Sequence, residues 1–219
     1  MLSNDTLKFL KGLKKNNNKP WFEANRKSYE NAQTEIKSFI AEWIKSFGKT
    51  DKTIAGLDSK KCLFRIHRDV RFSLDKSPYK KNLGAYLNKG GKSLNTAGFY
   101  IHIEPGNCFF GAGNYMPSPE ELAKIRQEID YNFIDFKKII ETKKFKKDLG
   151  DLNSENKLKR PPKGYMEDNP AIEYLKLKGF TVFNKLSDEE LIASDFVKKI
   201  TELSVSAKPF IDFLNSAIE

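Results

Sequence analysis

The chain has 219 residues and a net charge of +10 at pH 7, with 31% charged and 12% aromatic residues. This composition is that of a folded protein with a sizeable core, and it excludes an intrinsically disordered chain. Two cysteines, Cys62 and Cys108, are too few for a disulfide framework or a zinc site. Each is interpreted as a buried, inert thiol in a strand.

The start of the chain is rich in lysine and contains no apolar run typical of a signal peptide. No stretch approaches the roughly 20 apolar residues that cross a membrane. We therefore expect a soluble, cytoplasmic protein that does not contact a membrane.

The positive charge is concentrated in two segments. Residues 60–92 carry ten lysines and arginines against two aspartates, a balance of +8. Residues 137–163 carry ten against four acidic residues, a balance of +6. A basic surface raises the local concentration of anionic ligands. The first segment is a candidate for such a surface, whereas the second is interpreted as a solvated helix face.

Two helices are predicted at the start of the chain. Apolar residues at helical spacing indicate a short helix over residues 4–15. A second, longer helix begins near Pro20, whose missing N–H costs nothing in a first turn, and ends at Gly48. Trp21 and Phe22, in its first turns, are interpreted as core residues in preference to a platform for a ligand.

Strands are predicted next, beginning with residues 61–68, where apolar and polar residues alternate. A short strand is expected at residues 83–88. Residues 89–95 are predicted to form a loop rich in glycine, serine and asparagine.

A β-hairpin is predicted with strands at residues 98–104 and 107–112, both of which alternate, around the turn Pro105-Gly106. A two-residue turn places His102 opposite Phe109. In that register one face of the hairpin is apolar, and the other presents polar side chains beside glycines. Those polar side chains are Tyr100, His102, Glu104 and Asn107.

Helices dominate the remainder of the chain. The sequence from Ser118 to Glu121 is a capping box that predicts a helix start, and the same signature recurs at Ser187. Between them we predict a helix from Phe133 extended to Gly150, a loop over residues 151–164, a short helix from Asp168 to Lys178 and a strand near residues 180–185. The last helix begins at about Asp195, and Pro209 is expected to kink or divide it.

These elements predict a single α+β domain over residues 1–219. Strands clustered within residues 61–112, joined by short turns, imply a mainly antiparallel sheet, which one more strand near residues 180–185 completes and helices flank. The N-terminal helical pair, residues 1–48, and the C-terminal helix, residues 195–217, are expected to pack on it.

Six groups of residues carry a resemblance that covers nearly the whole chain. They are Asn17 with Trp21-Phe22 and Arg26, Phe64-Arg65-x-x-Arg68-Asp69-x-Arg71-Phe72-Ser73-x-Asp75-Lys76-Ser77-Pro78-Tyr79-Lys80, Tyr100-x-His102-x-Glu104-Pro105-Gly106, Gly113-x-Tyr115-x-Pro117-x-Pro119-Glu120, Arg160-x-Pro162-x-Gly164-Tyr165 and Leu175-x-Leu177-Lys178. With these motifs the chain resembles an uncharacterised family of conserved hypothetical proteins, catalogued as domain of unknown function 2461. The resemblance implies relatives but no activity, and it assigns no catalytic residue.

An anion site is the leading functional hypothesis. Arg65, Arg68 and Arg71 are spaced by three residues, and guanidinium groups that converge bind phosphate or carboxylate with two hydrogen bonds each. The other predicted ligand-binding residues are Lys76, Tyr79, Lys80, Tyr100 and Arg126. Alternatively, Asp69 and Asp75 pair with the arginines and pin the segment, which would make it a structural salt-bridge network.

His102 and Glu104 are a candidate acid–base pair on the polar face of the hairpin, and Asp69 is a further catalytic candidate. One alternative is a metal-dependent phosphodiesterase or nuclease, with these three residues and Asp75 as metal ligands. No paired-acid or His-x-His spacing supports that alternative, so no metal site is predicted.

A nucleic-acid-binding module is the other alternative. Basic residues interleaved with Phe72, Tyr79 and Tyr86 would suit phosphate contacts combined with base stacking. No recognised nucleic-acid-binding motif is present. The expected partner is thus an anionic small molecule or a nucleic acid, and the sequence leaves the reaction, any cofactor and the oligomeric state open.

Overall fold

A four-stranded antiparallel sheet lies at the centre of the protein, in a computed structural model that describes residues 2–90 and 96–218. Its strands lie side by side in chain order: β1 (Leu83–Leu87), β2 (Gly98–Ile103), β3 (Cys108–Asn114) and β4 (Phe180–Leu186). All neighbouring strands pair antiparallel. The strands predicted after residue 82 and the α+β fold class are confirmed. Residues 91–95 of the predicted loop lie outside the described residues.

Helices make up most of the remaining regular structure in the described part of the chain. They are α1 (Asn4–Lys15), α2 (Lys19–Ala24), α3 (Arg26–Phe47), α4 (Ser59–Cys62), α5 (Pro119–Tyr131), α6 (Phe133–Ile140), α7 (Lys143–Leu149), α8 (Ile172–Leu175), α9 (Asp188–Ile192) and α10 (Phe196–Ile218). The predicted helix starts at Ser118 and Ser187 are confirmed, because both serines form complete capping boxes.

The core lies between one face of the sheet and the two longest helices, α3 and α10. On that face Phe99 packs edge-on against Phe47 of α3, with ring centroids 4.9 Å apart, and Phe110 packs against Trp43 at 6.2 Å. The Trp43 indole N–H also donates to the Ser204 hydroxyl of α10 at 3.0 Å. Because this buried donor has a hydrogen-bond partner, the contact between the two helices leaves no indole N–H unpaired.

The predicted strand at residues 61–68 is wrong. Residues up to Cys62 form the short helix α4, and the chain beyond it makes only isolated bridges, Leu63 with Ala85 and His67 with Tyr79. Cys62 is a buried free thiol, as predicted, but it lies in a helix. Cys62 and Ile66 are buried and Phe64 is 39% exposed. Burial therefore recurs every four residues, a spacing that also satisfies an alternating pattern.

Two predicted helices have different limits in the structure, and a third is continuous where a division was one of the expectations. The second predicted helix is divided at Asn25, whose side-chain amide donates to the Trp21 carbonyl at 2.9 Å and ends α2. The helix predicted from Asp168 to Lys178 shortens to α8, because the Asn169 carboxamide accepts the Ala171 N–H and forms a turn. Pro209 does not divide α10, which continues through it with buried residues on both sides.

Gly113 is expected to be essential for the sheet. Its φ of +131° is unfavourable for other residues, and a Cβ there would lie 1.9 Å from the Phe180 carbonyl oxygen. Gly113→Ala should lower the free energy of unfolding by more than about 3 kcal/mol, measured by urea denaturation. Gly106→Ala is the control, because Gly106 also has a positive φ, +78°, but a Cβ added there would have no atom within 4 Å. That variant should lose only about 1–2 kcal/mol, and equal losses would contradict the steric explanation.

Candidate functional site

The second face of the sheet is open and forms the floor of a cavity of about 890 Å³. The cavity, which we call the sheet-face cleft, is lined by seven strand residues: Tyr86, Tyr100, His102, Phe109, Asn114, Thr181 and Phe183. Phe64, Lys80 and Asn82 line it on the side of β1. Residues 149–155, which begin at the last residue of α7, contribute the lining on the side of β4.

The strand register places glycines beside the large side chains of the cleft floor. Tyr100, Gly111 and Phe183 lie in one row across β2, β3 and β4. A Cβ on Gly111 would lie 3.2 Å from the Phe183 ring, and one on Gly84 would lie 2.7 Å from the Tyr100 hydroxyl. The two rings therefore pack directly on backbone, which deepens the cleft. The predicted opposition of His102 to Phe109 is confirmed, and Tyr100 lies opposite Gly111.

A chain of hydrogen bonds crosses the floor at His102. Its Nδ1 lies 3.0 Å from the Tyr100 hydroxyl oxygen and 3.3 Å from the Asn82 side-chain nitrogen. Its Nε2 lies 3.4 Å from a Glu104 carboxylate oxygen. A carboxamide nitrogen only donates, so Nδ1 accepts and Nε2 carries the proton that faces Glu104. The imidazole is thus held as its neutral Nε2–H tautomer.

The surroundings of these groups shift their pKa values in ways that favour this arrangement. Burial lowers the pKa of His102 below its ordinary value and outweighs the opposing influence of Glu104. Burial also raises the pKa of Tyr100 to about 12, which keeps its hydroxyl protonated. Burial alone would raise the pKa of Glu104, but hydrogen bonds from Lys14, His102 and Asn107 hold it below its ordinary value.

Aromatic rings form most of the apolar lining of the cleft. Phe109 stacks on His102 with centroids 4.7 Å apart and an interplanar angle of 10°, and it meets Phe183 edge-on at 5.3 Å. On the side of β1, Phe64 meets Tyr100 edge-on at 6.0 Å. The Lys80 ammonium lies 5.2 Å from the centroid of the Phe64 ring, within the range of a cation–π contact.

Asn114 adds an unusual polar group to the cleft lining. The residue is 3% exposed, and its side-chain nitrogen has no hydrogen-bond partner within the described residues. A buried donor without a partner costs about 1–3 kcal/mol. Because the nitrogen itself is enclosed, this cost belongs to the fold and the group is not presented to the cavity.

The predicted arginine cluster, in contrast, is engaged internally. Arg68 donates to an Asp75 carboxylate oxygen at 2.6 Å, to the Ser77 carbonyl at 3.0 Å and to the hydroxyls of Ser73 and Ser77. Arg71 makes two bonds to Asp69, the shorter at 2.7 Å. The alternative in which both aspartates pair with arginines is therefore observed. We call residues 65–81 the basic loop.

Tyr79 fastens the basic loop to the N-terminal helices. It is 4% exposed, and its ring stacks on Phe22 with centroids 4.0 Å apart. The Asn17 side chain accepts the Tyr79 N–H at 3.1 Å and donates to its carbonyl at 2.9 Å. The interpretation of Phe22 as a core residue is confirmed, and Tyr79 belongs to the same packed cluster.

The predicted site residues therefore separate into two groups. Lys80, Tyr100 and His102 line the sheet-face cleft, and Glu104 lies directly behind His102. The others lie elsewhere. They are Arg65 at the surface, Arg68, Arg71 and Asp69 in the paired network, Lys76 on the Val70 carbonyl, Tyr79 in the core and Arg126 on the Leu177 carbonyl.

Several cleft residues were not among the predicted ones. Phe109 could have been found, because it lies on the polar face of a strand whose alternation was evident. Phe183, in a strand without such alternation, and Asn82, the residue after the basic loop, give no comparable signal. Residues 149–155 reach the cleft only through the packing of α7 against β4.

Two features of the described residues bear on the metal-dependent alternative and on membrane contact. Within residues 2–90 and 96–218, no group of three or more histidine, cysteine, aspartate or glutamate side chains could hold a metal ion. No helix in that part of the chain is long and apolar enough to cross a membrane.

The fold and the cleft define an α+β protein whose antiparallel sheet carries helices on one face and a cavity of ligand size on the other. The chain belongs to the conserved hypothetical protein family DUF2461, which it matches over residues 5–213. No curated protein and no solved structure matches it significantly. Because the family description states no activity, any proposal on function rests on the cleft itself.

Arg68 is expected to order the basic loop. In Arg68→Ala, amide hydrogen exchange should accelerate severalfold at Arg68 and Ser77, whose N–H groups bond to the Pro78 carbonyl and to Asp75. The melting temperature should change little. Arg71→Ala is the matched control, because its ion pair with Asp69 is largely exposed and contributes little. Equal effects of the two variants would contradict the assignment.

The pKa of Asp75 gives a second measure of this network. Hydrogen bonds from the Ser77 N–H and hydroxyl, and then from Arg68, lower it from 3.8 to about 2. The network is therefore complete above pH 4 and is lost as the pH falls toward 2. In Arg68→Ala the pKa should rise but stay below 3.8, because the Ser77 bonds remain. Carboxyl ¹³C NMR titration measures both values, and an unchanged pKa in the variant would refute the contribution of Arg68.

Proposed function

We propose that the protein binds a small organic anion in the sheet-face cleft, with an aromatic or apolar body over the cleft floor and one anionic group near Lys80. The observation that carries the proposal is a cavity of about 890 Å³ whose apolar lining is mostly aromatic, with a lysine at one side. This volume lies within the range of known small-molecule sites.

The charges that line the cleft give the ligand a direction. Lys80 lies on the side of β1, whereas Asp151 and Glu155 lie on the side of β4. A ligand would therefore present its anionic group toward Lys80 and hydrogen-bond donors, such as hydroxyl or amino groups, toward the acidic side chains. Because Lys80 is the one cation on the lining within residues 2–90 and 96–218, a carboxylate fits better than a phosphate dianion.

The anionic group is proposed at Lys80 because Lys80 lines the cleft, whereas Arg68 and Arg71 of the basic loop do not line it. Arg68 and Arg71 pair with Asp75 and Asp69, so an anion there would have to compete with a carboxylate. Phosphate-containing ligands, a metal-dependent reaction and a cytoplasmic location remain predictions.

Nucleic-acid binding is the second candidate, favoured by one observation. Phe72, in the basic loop, is 96% exposed, with the Arg71 guanidinium 5.8 Å from its ring centroid. An exposed ring beside cations suits base stacking and phosphate contact.

The cleft proposal is tested with 2-naphthoate and its uncharged amide, 2-naphthamide, as probes. Naphthoate should bind more tightly and shift the backbone amide NMR signals of Gly111 and Phe183. Lys80→Gln should weaken naphthoate binding by about tenfold or more, the size of a charge-assisted hydrogen bond, and leave naphthamide unchanged. Lys81→Gln is the matched control, because Lys81 is exposed and does not line the cleft.

Three results would count against the proposal. They are equal affinities of the two probes in the wild type, equal effects of the two lysine variants, or shifts that map outside the cleft. Tight binding of a fluorescent single-stranded oligonucleotide would favour the second candidate, provided that it weakens steeply with salt and on Phe72→Ala.

A further inference from the structure

We propose that the sheet-face cleft is a proton-transfer site. In it the Tyr100 hydroxyl exchanges a proton with the bound molecule, and His102, held by Glu104, is the base behind that hydroxyl. This deepens the proposed function and rests on it for the substrate class. The substrate would be an organic anion that carries a hydroxyl group or an acidic C–H bond beside a carbonyl group.

The direction of the hydrogen bonds is the first support. The Asn82 nitrogen, 3.3 Å from Nδ1, has only protons to offer, so Nδ1 presents its lone pair. The Tyr100 hydroxyl is the nearer donor to the same lone pair, at 3.0 Å. The proton of His102 then resides on Nε2, beside Glu104. The Tyr100 hydroxyl, the His102 imidazole and the Glu104 carboxylate therefore form one hydrogen-bonded chain, along which a proton can move from Tyr100 to His102.

The charge behind the imidazole is the second support. Glu104 is held by the Lys14 ammonium at 3.0 Å, and its carboxylate side chain is only 18% exposed. A fixed carboxylate at Nε2 stabilises the imidazolium that forms when Nδ1 takes a proton. Burial lowers the pKa of His102 and raises that of Tyr100 to about 12, so both groups are neutral at rest and the transfer depends on the Glu104 carboxylate that faces the imidazolium.

The location is the third support. Tyr100 and His102 both line the cavity, so a molecule bound there lies against both residues. Gly84 makes this placement possible, because a Cβ there would lie 2.7 Å from that oxygen. Tyr100 is thus the catalytic residue of the proposal, and Glu104, which acts through His102, is a positioning residue.

The proposed step is balanced without any further reactant. The substrate O–H or C–H bond breaks, and its proton passes to the Tyr100 oxygen. The proton of Tyr100 passes at the same time to Nδ1 of His102, which becomes an imidazolium beside the Glu104 carboxylate. The substrate is left as an alkoxide or enolate, and the reverse transfer returns each proton.

The test uses naphthalene-2-sulfonyl fluoride as the probe, because its reaction with a tyrosine requires that the phenol lose its proton. The Tyr100 oxygen forms a bond to sulfur, fluoride leaves, and the phenol proton passes to His102. Mass spectrometry then measures the labelling rate at each of the eight tyrosines. We expect Tyr100 to be labelled faster than Tyr115 and Tyr131, which are 65% and 73% exposed.

Variants separate the roles of the three groups. His102→Gln should slow labelling at Tyr100 by about 100-fold, the lower range of general-base effects. Glu104→Gln should slow it less, and Gly84→Ala should slow it by displacing the hydroxyl. Tyr131→Phe, at a residue that is 73% exposed and lies outside the cleft lining, should leave the rate at Tyr100 unchanged. Urea denaturation checks that each variant remains folded.

A spectroscopic readout distinguishes positioning from a purely structural role. The chain has two histidines, so the imidazole ¹⁵N signals of His102 can be assigned by comparison with His102→Gln. They should show the Nε2–H tautomer in the wild type. Glu104→Gln should keep this tautomer and lower the pKa of His102 further, because the carboxylate that favours the imidazolium is lost.

Each negative outcome overturns the proposal. Labelling that prefers Lys80 or the exposed tyrosines, a rate at Tyr100 unaffected by His102→Gln, or an Nδ1–H tautomer would each refute proton transfer through Tyr100. Naphthoate binding without labelling at Tyr100 would leave the binding proposal intact and remove the chemistry. Labelling at Tyr100 without discrimination between naphthoate and its amide would leave the chemistry intact and remove the binding proposal.

Discussion

The pairing register of β2 with β3 is the constraint on which the remainder of the structure depends. Because side chains alternate along a strand, this register directs Phe99 and Phe110 into the core and His102 into the cleft. A slip by one residue would exchange the two faces, so the burial of the core and the exposure of the site are fixed by the same hydrogen bonds. The positive φ of Gly106 supports this register at the turn.

The cleft also depends on the attachment of irregular chain to the helices. The basic loop follows no strand ladder, yet the stacking of Tyr79 on Phe22 and the two bonds from Asn17 hold it against α2. Lys14, at the end of α1, reaches Glu104 behind the cleft floor. The N-terminal helices therefore position one wall of the cleft and one charge of its polar network, although they contribute none of its lining.

The sequence was sufficient where local pattern and turn chemistry agreed. The hairpin was predictable down to the opposition of His102 and Phe109, since alternation on both sides of Pro105-Gly106 allows few registers. Residues 61–68 were mispredicted because burial at Cys62 and Ile66 satisfies both a period of four and a period of two. Residues 149–155 approach the cleft from a distant part of the chain, and no local pattern encodes that contact.

The difference between a local sequence pattern and the contacts of the folded chain also explains why the cations of the basic loop are weak evidence for a ligand. Arginine spacing alone does not decide between a bound anion and an internal carboxylate, because both satisfy the same guanidinium geometry. Asp69 and Asp75 lie within a few residues of Arg71 and Arg68, and the chain closes on itself. The polar groups that line the cleft are Tyr100 and the neutral His102, together with the charged Lys80, Asp151 and Glu155. For such a site, recognition depends on one placed cation combined with hydrogen bonding and aromatic contact.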